Sequence, residues 1–179
     1  MVSVIDSNGR PVPDAVAYME NILPVKKAIS GKQMTAEIEQ KDKKFIPLVS
    51  VIQTRTCVFF PNNDTVKHHA YSFSAAKPFE LKLYAGKPEA PIVFDKPGTV
   101  VIGCHIHDQM LAYIQVVDTP NFAKTDAGGK AKMTQLQNGQ YFLRVWHYKQ
   151  IPDIANDEQS LSVNDADLSV QVRLTLRAN

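Results

Sequence analysis

Seven consecutive residues, Cys104-His105-Ile106-His107-Asp108-Gln109-Met110, place a thiol, two imidazoles and a thioether on one short segment. A second pair of imidazoles, His68 and His69, stands upstream behind Pro61-Asn62-Asn63-Asp64. Two imidazoles, one thiolate and a weak axial thioether make the trigonal donor set of a one-electron copper site. Cu(II) favours nitrogen and Cu(I) favours sulfur, so a mixed set held by the protein changes little between the two states. With all four positions filled by side chains there is no place for a substrate, which is the design of a carrier and not of a catalyst. Cys104, His107 and Met110 are therefore candidate ligands, with the fourth taken from His68 or His69.

Other chemistries fit the same residues less well. Zinc accepts thiolate and imidazole from Cys104, His107 and a histidine of the upstream pair, but a thioether suits copper and not zinc. A cysteine nucleophile needs an orienting partner for its histidine, and His105 and His107 lie too close in sequence to Cys104 to supply one. No Gly-x-Ser-x-Gly elbow, phosphate-binding glycine loop or His-Glu-x-x-His pair occurs.

Each residue also has a plainer reading. Cys104 alone would be a small buried hydrophobe and Met110 alone core filler. His69 reads as a neighbour of the site or an alternative ligand, and His105 as an exposed side chain or a second, looser metal contact. Asn63 is placed to fasten the ligand loop by hydrogen bonding, as outer groups orient inner ones. Cys57 shares a strand face with Phe59 and reads as a core cysteine, and His147 as a packed or capping residue.

Such a cluster has to be carried by rigid elements. Short runs of β-branched and aromatic residues, broken about every ten residues by Gly, Pro, Asn or Asp, predict an all-β sandwich or barrel. Strands are expected over 2–5, 15–19, 48–53, 56–60, 69–73, 79–84, 99–104, 111–117, 130–134, 141–147 and 168–176. The strand ending at Cys104 then delivers the thiolate at a rim, the turn brings His107 beside it, and Met110 enters from the next strand. Short helical turns are expected over 29–39 or 151–159. The turns Asp6-Ser7-Asn8-Gly9 and Asp126-Ala127-Gly128-Gly129 share one chemistry, Asp opening and Gly supplying the left-handed conformation.

The 179 residues suit one domain or two small ones, and 44% hydrophobic with 21% charged residues is a globular composition. A net charge of +2, with both signs dispersed, offers no basic stripe for nucleic acid. The longest apolar runs, 100–102 and 110–117, fall far below the roughly 20 residues of a membrane span. Two cysteines exclude a disulfide framework.

The residues quoted above resemble the cupredoxins, the type 1 (blue) copper proteins such as plastocyanin and amicyanin. Cys104-x-x-His107-x-x-Met110 is similar to the amicyanin-type ligand loop, and Pro97-Gly98 to the family's approach strand. Phe60-Pro61-Asn62-Asn63 followed by His68 is similar to its upstream ligand loop. The resemblance spans roughly 35–118. It implies a Greek-key β-sandwich, one copper ion and the ligand set His68, Cys104, His107 and Met110. Its implied function is one-electron transfer with a redox protein such as a c-type cytochrome or a periplasmic oxidoreductase; the alternative is copper storage, delivery or sensing. The nearest likeness is to bacterial periplasmic plastocyanin-like proteins labelled as methylamine-utilisation accessories. The N-terminus, Met1-Val2-Ser3-Val4-Ile5-Asp6, lacks the features of a secretory leader, which leaves a cytoplasmic protein or one whose leader has been removed; the resemblance implies the second and a periplasmic location. The sequence departs from the family in carrying His69 where Asn is usual, and Val100 and Ile102 where aromatics are usual. The flanks, 1–21 and 119–179, resemble a carboxypeptidase-regulatory-like β-sandwich into which 22–118 would be inserted.

Overall fold

The computed structural model describes residues 1–23, 33–88, 90–134, 136–151, 158–164 and 168–177. Along the chain the strands are β1 (Val2–Asp6), β2 (Val16–Asn21), β3 (Thr35–Glu37), β4 (Glu39–Lys41), β5 (Lys44–Ile46) and β6 (Val49–Gln53). Next come β7 (Thr56–Phe59), β8 (His68–Ser72), β9 (Phe79–Tyr84), β10 (Ile92–Phe94), β11 (Gly98–Gly103) and β12 (Leu111–Val117). The last are β13 (Phe122–Lys124), β14 (Lys130–Ala131), β15 (Gly139–Trp146), β16 (Gln159–Val163) and β17 (Val170–Leu174). The architecture is all-β, as the residue pattern requires. Two compact units divide the chain: Ile29–Asp118 in the middle, and a flanking unit of Met1–Ala28 with Thr119–Asn179.

In the middle unit the main sheet runs β6-β12-β11-β8-β9, with β10-β7-β3 forming a second sheet and β4-β5 a hairpin. Antiparallel pairing of β11 with β12 sets Gly103 opposite Leu111, so Cys104 to Met110 form the whole connecting loop. Asp42 and Lys43, at φ 51° and 55°, close the β4-β5 hairpin with two left-handed residues, the twist that two-residue hairpins favour. Between the sheets lie Phe60, Phe94, Ile102 and Ile114, all buried. Burying each side chain of this size is worth about 1.5–3 kcal/mol.

The flanking unit has two sheets, β13-β2-β15-β16 and β14-β1-β17, around Val2, Val4, Met19, Leu143, Val172 and Leu174. Its two Asp-Gly turns are built alike. Asp6 Oδ1 accepts from the N–H groups of Asn8 and Arg10, both at 2.8 Å. Asp126 Oδ1 accepts from Gly128 and Lys130 at 2.9 and 3.0 Å. Gly129 needs its glycine twice over: φ is +70°, and a Cβ there would stand 2.5 Å from the carbonyl oxygen of Val4.

Three expectations change. Within 29–39, residues 29–32 lie outside the described residues, while Thr35–Glu37 and Glu39 are strand. These three-residue strands pair with β7 and β5, so tertiary ladders override the weak helical pattern. Of 151–159, residues 152–157 lie outside the described residues and Gln159 opens β16. Cys57 is only half-buried, because Thr56, Val58 and Phe60 occupy the core face of β7 and leave Cys57 and Phe59 on the other.

Candidate metal centre

His68 begins β8, whose burial alternates so that His68, Ala70 and Ser72 face the core while His69 and Tyr71 face out. The alternation places His68, and not His69, in one cluster with Cys104 and His107. Opposite β8, His68 pairs with Tyr84 but Ala70 with Leu81, so β9 carries one extra residue. That bulge leaves Lys82 and Leu83 both exposed.

Cys104 follows the last residue of β11 and is buried at 5% exposure, on the inward side set by Val100 and Ile102. The loop then turns back through a hydrogen bond from the Met110 N–H to the His107 carbonyl at 2.9 Å. One donor atom each from His68, Cys104 and His107 lie within 4.8 Å of one another. Cys104 Sγ stands 3.9 Å from His68 Nδ1. Bond lengths of about 2.0 Å to nitrogen and about 2.3 Å to sulfur at a trigonal angle would put two such donors about 3.7 Å apart. The observed separation fits a shared ion.

The tautomer of His68 is set by Asp64. Its Oδ2 lies 2.9 Å from His68 Nε2, and a carboxylate can only accept, so Nε2 carries the proton and Nδ1 presents its lone pair toward Cys104. The hydrogen bond from His68, with backbone donors from Lys43 and Thr65, holds the Asp64 carboxyl down at about 2. On His107, Nδ1 is buried and has no hydrogen-bond partner among the described residues. An orphaned buried nitrogen of this kind costs about 1–3 kcal/mol unless a ligand satisfies it. Met110 is 1% exposed and packs in the same core cluster as Cys104.

Asn62, which the sequence reading did not single out, knits the loop ahead of His68. Its amide nitrogen donates to the carbonyls of Val66 and Tyr84 at 2.9 and 2.7 Å, and its oxygen accepts from the Asp64 N–H at 3.0 Å. Asn63 instead points outward and donates to Glu39 Oε1 at 2.8 Å. Extending the inward parity of Thr56, Val58 and Phe60 by two residues would have picked Asn62. Behind it, the Tyr84 hydroxyl donates to the Phe60 carbonyl at 2.6 Å and accepts from the Gln40 amide. Burial raises the Tyr84 hydroxyl to about 12, so it stays a donor throughout the physiological range. His105 is exposed and lies outside the three-donor cluster, as does His69. His147 belongs to the flanking unit, where its Nδ1 accepts from the Lys149 N–H at 3.2 Å.

The middle unit is built of β-sheets packed around one apolar core. A purple cupredoxin from Nitrosopumilus maritimus is similar at 21% identity and TM-score 0.41, over 46% of this chain and 99% of that one. A copper-containing nitrite reductase from Thermus scotoductus is similar at 25% identity and TM-score 0.44, over 56% of this chain but only 26% of that enzyme. Amicyanin from Paracoccus versutus is similar at 14% identity and TM-score 0.38, over 50% of this chain and 85% of that one. No family model and no curated protein sequence matches the chain. Each of these likenesses covers about half of this chain, and what the site can do rests on its own donors.

Proposed function

We propose that this protein is a mononuclear type 1 copper protein that carries single electrons between redox partners. The observation that supports it most directly is the donor set itself: His68 Nδ1 and Cys104 Sγ at 3.9 Å, with the buried Nδ1 of His107 lacking any partner. His68, Cys104 and His107 would hold the ion, and Met110 would stand as the weak axial donor. Bound copper supplies a centre that gains and loses one electron. The chain contributes everything else. Asp64 fixes the His68 tautomer, Asn62 pins the loop, and the β11-β12 hairpin holds Cys104 and His107 together, so little rearranges between oxidation states. Burial of His68 and Cys104 favours retention of the ion and leaves no open position for a substrate, which supports a carrier over an enzyme. A periplasmic location and a partner such as a c-type cytochrome or a periplasmic oxidoreductase belong to the same reading.

The test is the visible spectrum of the Cu(II)-loaded protein beside the Cys104→Ser variant. An intense thiolate-to-copper band that bleaches with ascorbate, returns on oxidation and is missing from the variant is the expected result. A weak band indifferent to Cys104 would refute the site. Ready transfer of Cu(I) to an acceptor, without reversible cycling, would favour copper storage or delivery.

A further inference from the structure

The outer face of the main sheet carries a second pair of imidazoles. Tyr71 packs flat against His105, with ring centroids 4.0 Å apart and planes 9° from parallel. The contact depends on Gly103, where a Cβ would stand 2.9 Å from the Tyr71 ring. Held in this stack, His105 meets the ring of His69 edge-on, with centroids 5.2 Å apart and planes at 84°. The pair inside the donor cluster, His68 and His107, has centroids 4.9 Å apart and planes at 60°. Two imidazoles bound to one ion at about 2.0 Å have centroids about 4.5 Å apart at the right angle of a tetragonal Cu(II) site and about 5.2 Å apart at a tetrahedral angle, so the outer pair stands at the wide end of that range and would close slightly around Cu(II).

The two pairs share a second property. Each contains a buried Nδ1 without a hydrogen-bond partner, His107 in one and His69 in the other. Buried polar nitrogens are normally satisfied, and a cation is a ligand that would satisfy this one. Here the resemblance between the pairs ends. The outer pair has no thiolate, and His105 is exposed, so the remaining positions on an ion there would be filled by water. Imidazole with water suits Cu(II), ahead of Ni(II) and Zn(II) in affinity.

We infer that His69 and His105 form a second, solvent-facing site for a divalent copper ion, with Tyr71 as the residue that positions His105. The site is distinct from the buried donor set, although His69 follows His68 and His105 follows Cys104 in the chain. It needs no electron to be transferred and stands whether or not the buried site cycles.

The experiment uses the full chain with Cys104→Ser and His107→Gln, which removes the buried site, titrated with Cu(II) and followed by calorimetry and electron paramagnetic resonance. One equivalent should bind, with an axial signal coupled to two nitrogens. On that background His69→Gln or His105→Gln should each weaken binding at least tenfold. Tyr71→Ala should weaken it several-fold and Tyr71→Phe should restore it, a rescue that general destabilisation would not produce. The unsubstituted chain should take up two equivalents. Failure of the doubly substituted chain to bind Cu(II), or binding that survives both His69→Gln and His105→Gln, would overturn the inference. Absence of the intense Cys104-dependent band while His105-dependent uptake persists would refute the electron carrier and leave this site standing.

Discussion

The two units differ in whether their buried polar groups, among the described residues, are all satisfied from within. In the flanking unit the buried polar side chains Thr119, Thr125 and His147 all make hydrogen bonds to backbone groups, closing turns and strand ends. Thr125 donates to the Val12 carbonyl and accepts from the Ala15 N–H, both at 2.8 Å. In the middle unit, His68 and Cys104 are buried facing each other, and a His107 nitrogen beside them goes without a partner. Both units are β-sheet structures with apolar cores, so the contrast is not one of architecture. A core whose polar groups are all satisfied is complete by itself. One that leaves donors unsatisfied is complete only with a ligand.

That contrast can be broken or sharpened by experiment. Saturation with copper at about a thousand times Kd should add about 4 kcal/mol through binding linkage. The gain should appear as slowed hydrogen exchange in β8, β11 and β12, with β2 and β15 unchanged. An equal gain in both units would erase the distinction. Next in size, Asp64→Ala should cost about 10–100-fold in copper affinity, because the His68 tautomer is no longer held. Titration against a competing chelator would measure it, and an unchanged affinity would show that the loop positions His68 without Asp64.

In the flanking unit, Thr125→Ala strands the buried Ala15 N–H and Val12 carbonyl and should cost about 1–3 kcal/mol whether or not copper is present. Trp146, the single tryptophan, lies in β15 and reports that unfolding directly. The smallest effect is a pH slope. Burial, with the Lys149 charge assisting, holds His147 below its ordinary value of 6.5, against opposing contributions from Asp14 and the Pro13 carbonyl. The unfolded chain therefore takes up a proton as pH falls through 6.5 that the folded unit resists. His147 contributes stability above that pH and loses it below. Denaturation midpoints at pH 7.5 and 5.5 should drop more in the unsubstituted chain than in His147→Gln, and identical drops would exclude His147 as the cause.

Much of this was legible in the residue order. The strands at Phe79–Tyr84 and Leu111–Val117 have the bounds their alternating and apolar runs predict, although the bulge in β9 turns Leu83 outward against the alternation. The Cys104-to-Met110 loop reads as a hairpin connection because turn residues and donors fall between two clear strands. The strands β3, β4, β5, β10, β13 and β16 were not legible. Most are only three residues long, too short for a period to show; β4 and β5 are defined by their own hairpin and the others by ladders with partners farther along the chain. Asn62 escaped notice for a related reason, since its role depends on Tyr84 and Val66 being brought to it.

By itself, the sequence determined the chemistry: which donor types are present, how closely Cys104, His107 and Met110 follow one another, and that β-structure must carry them. Only the tertiary structure decided which histidine joins them. On β8 the aromatic residues Tyr71 and Phe73 accompany His69 in parity, and a reading by hydrophobicity would bury that face. The fold does the reverse, leaving Phe73 at 81% exposure and burying His68 with Ala70 and Ser72. Small residues are what the inner face has room for beside Phe60, Ile102 and Cys104, and that is a property of the packed sandwich, not of any one strand.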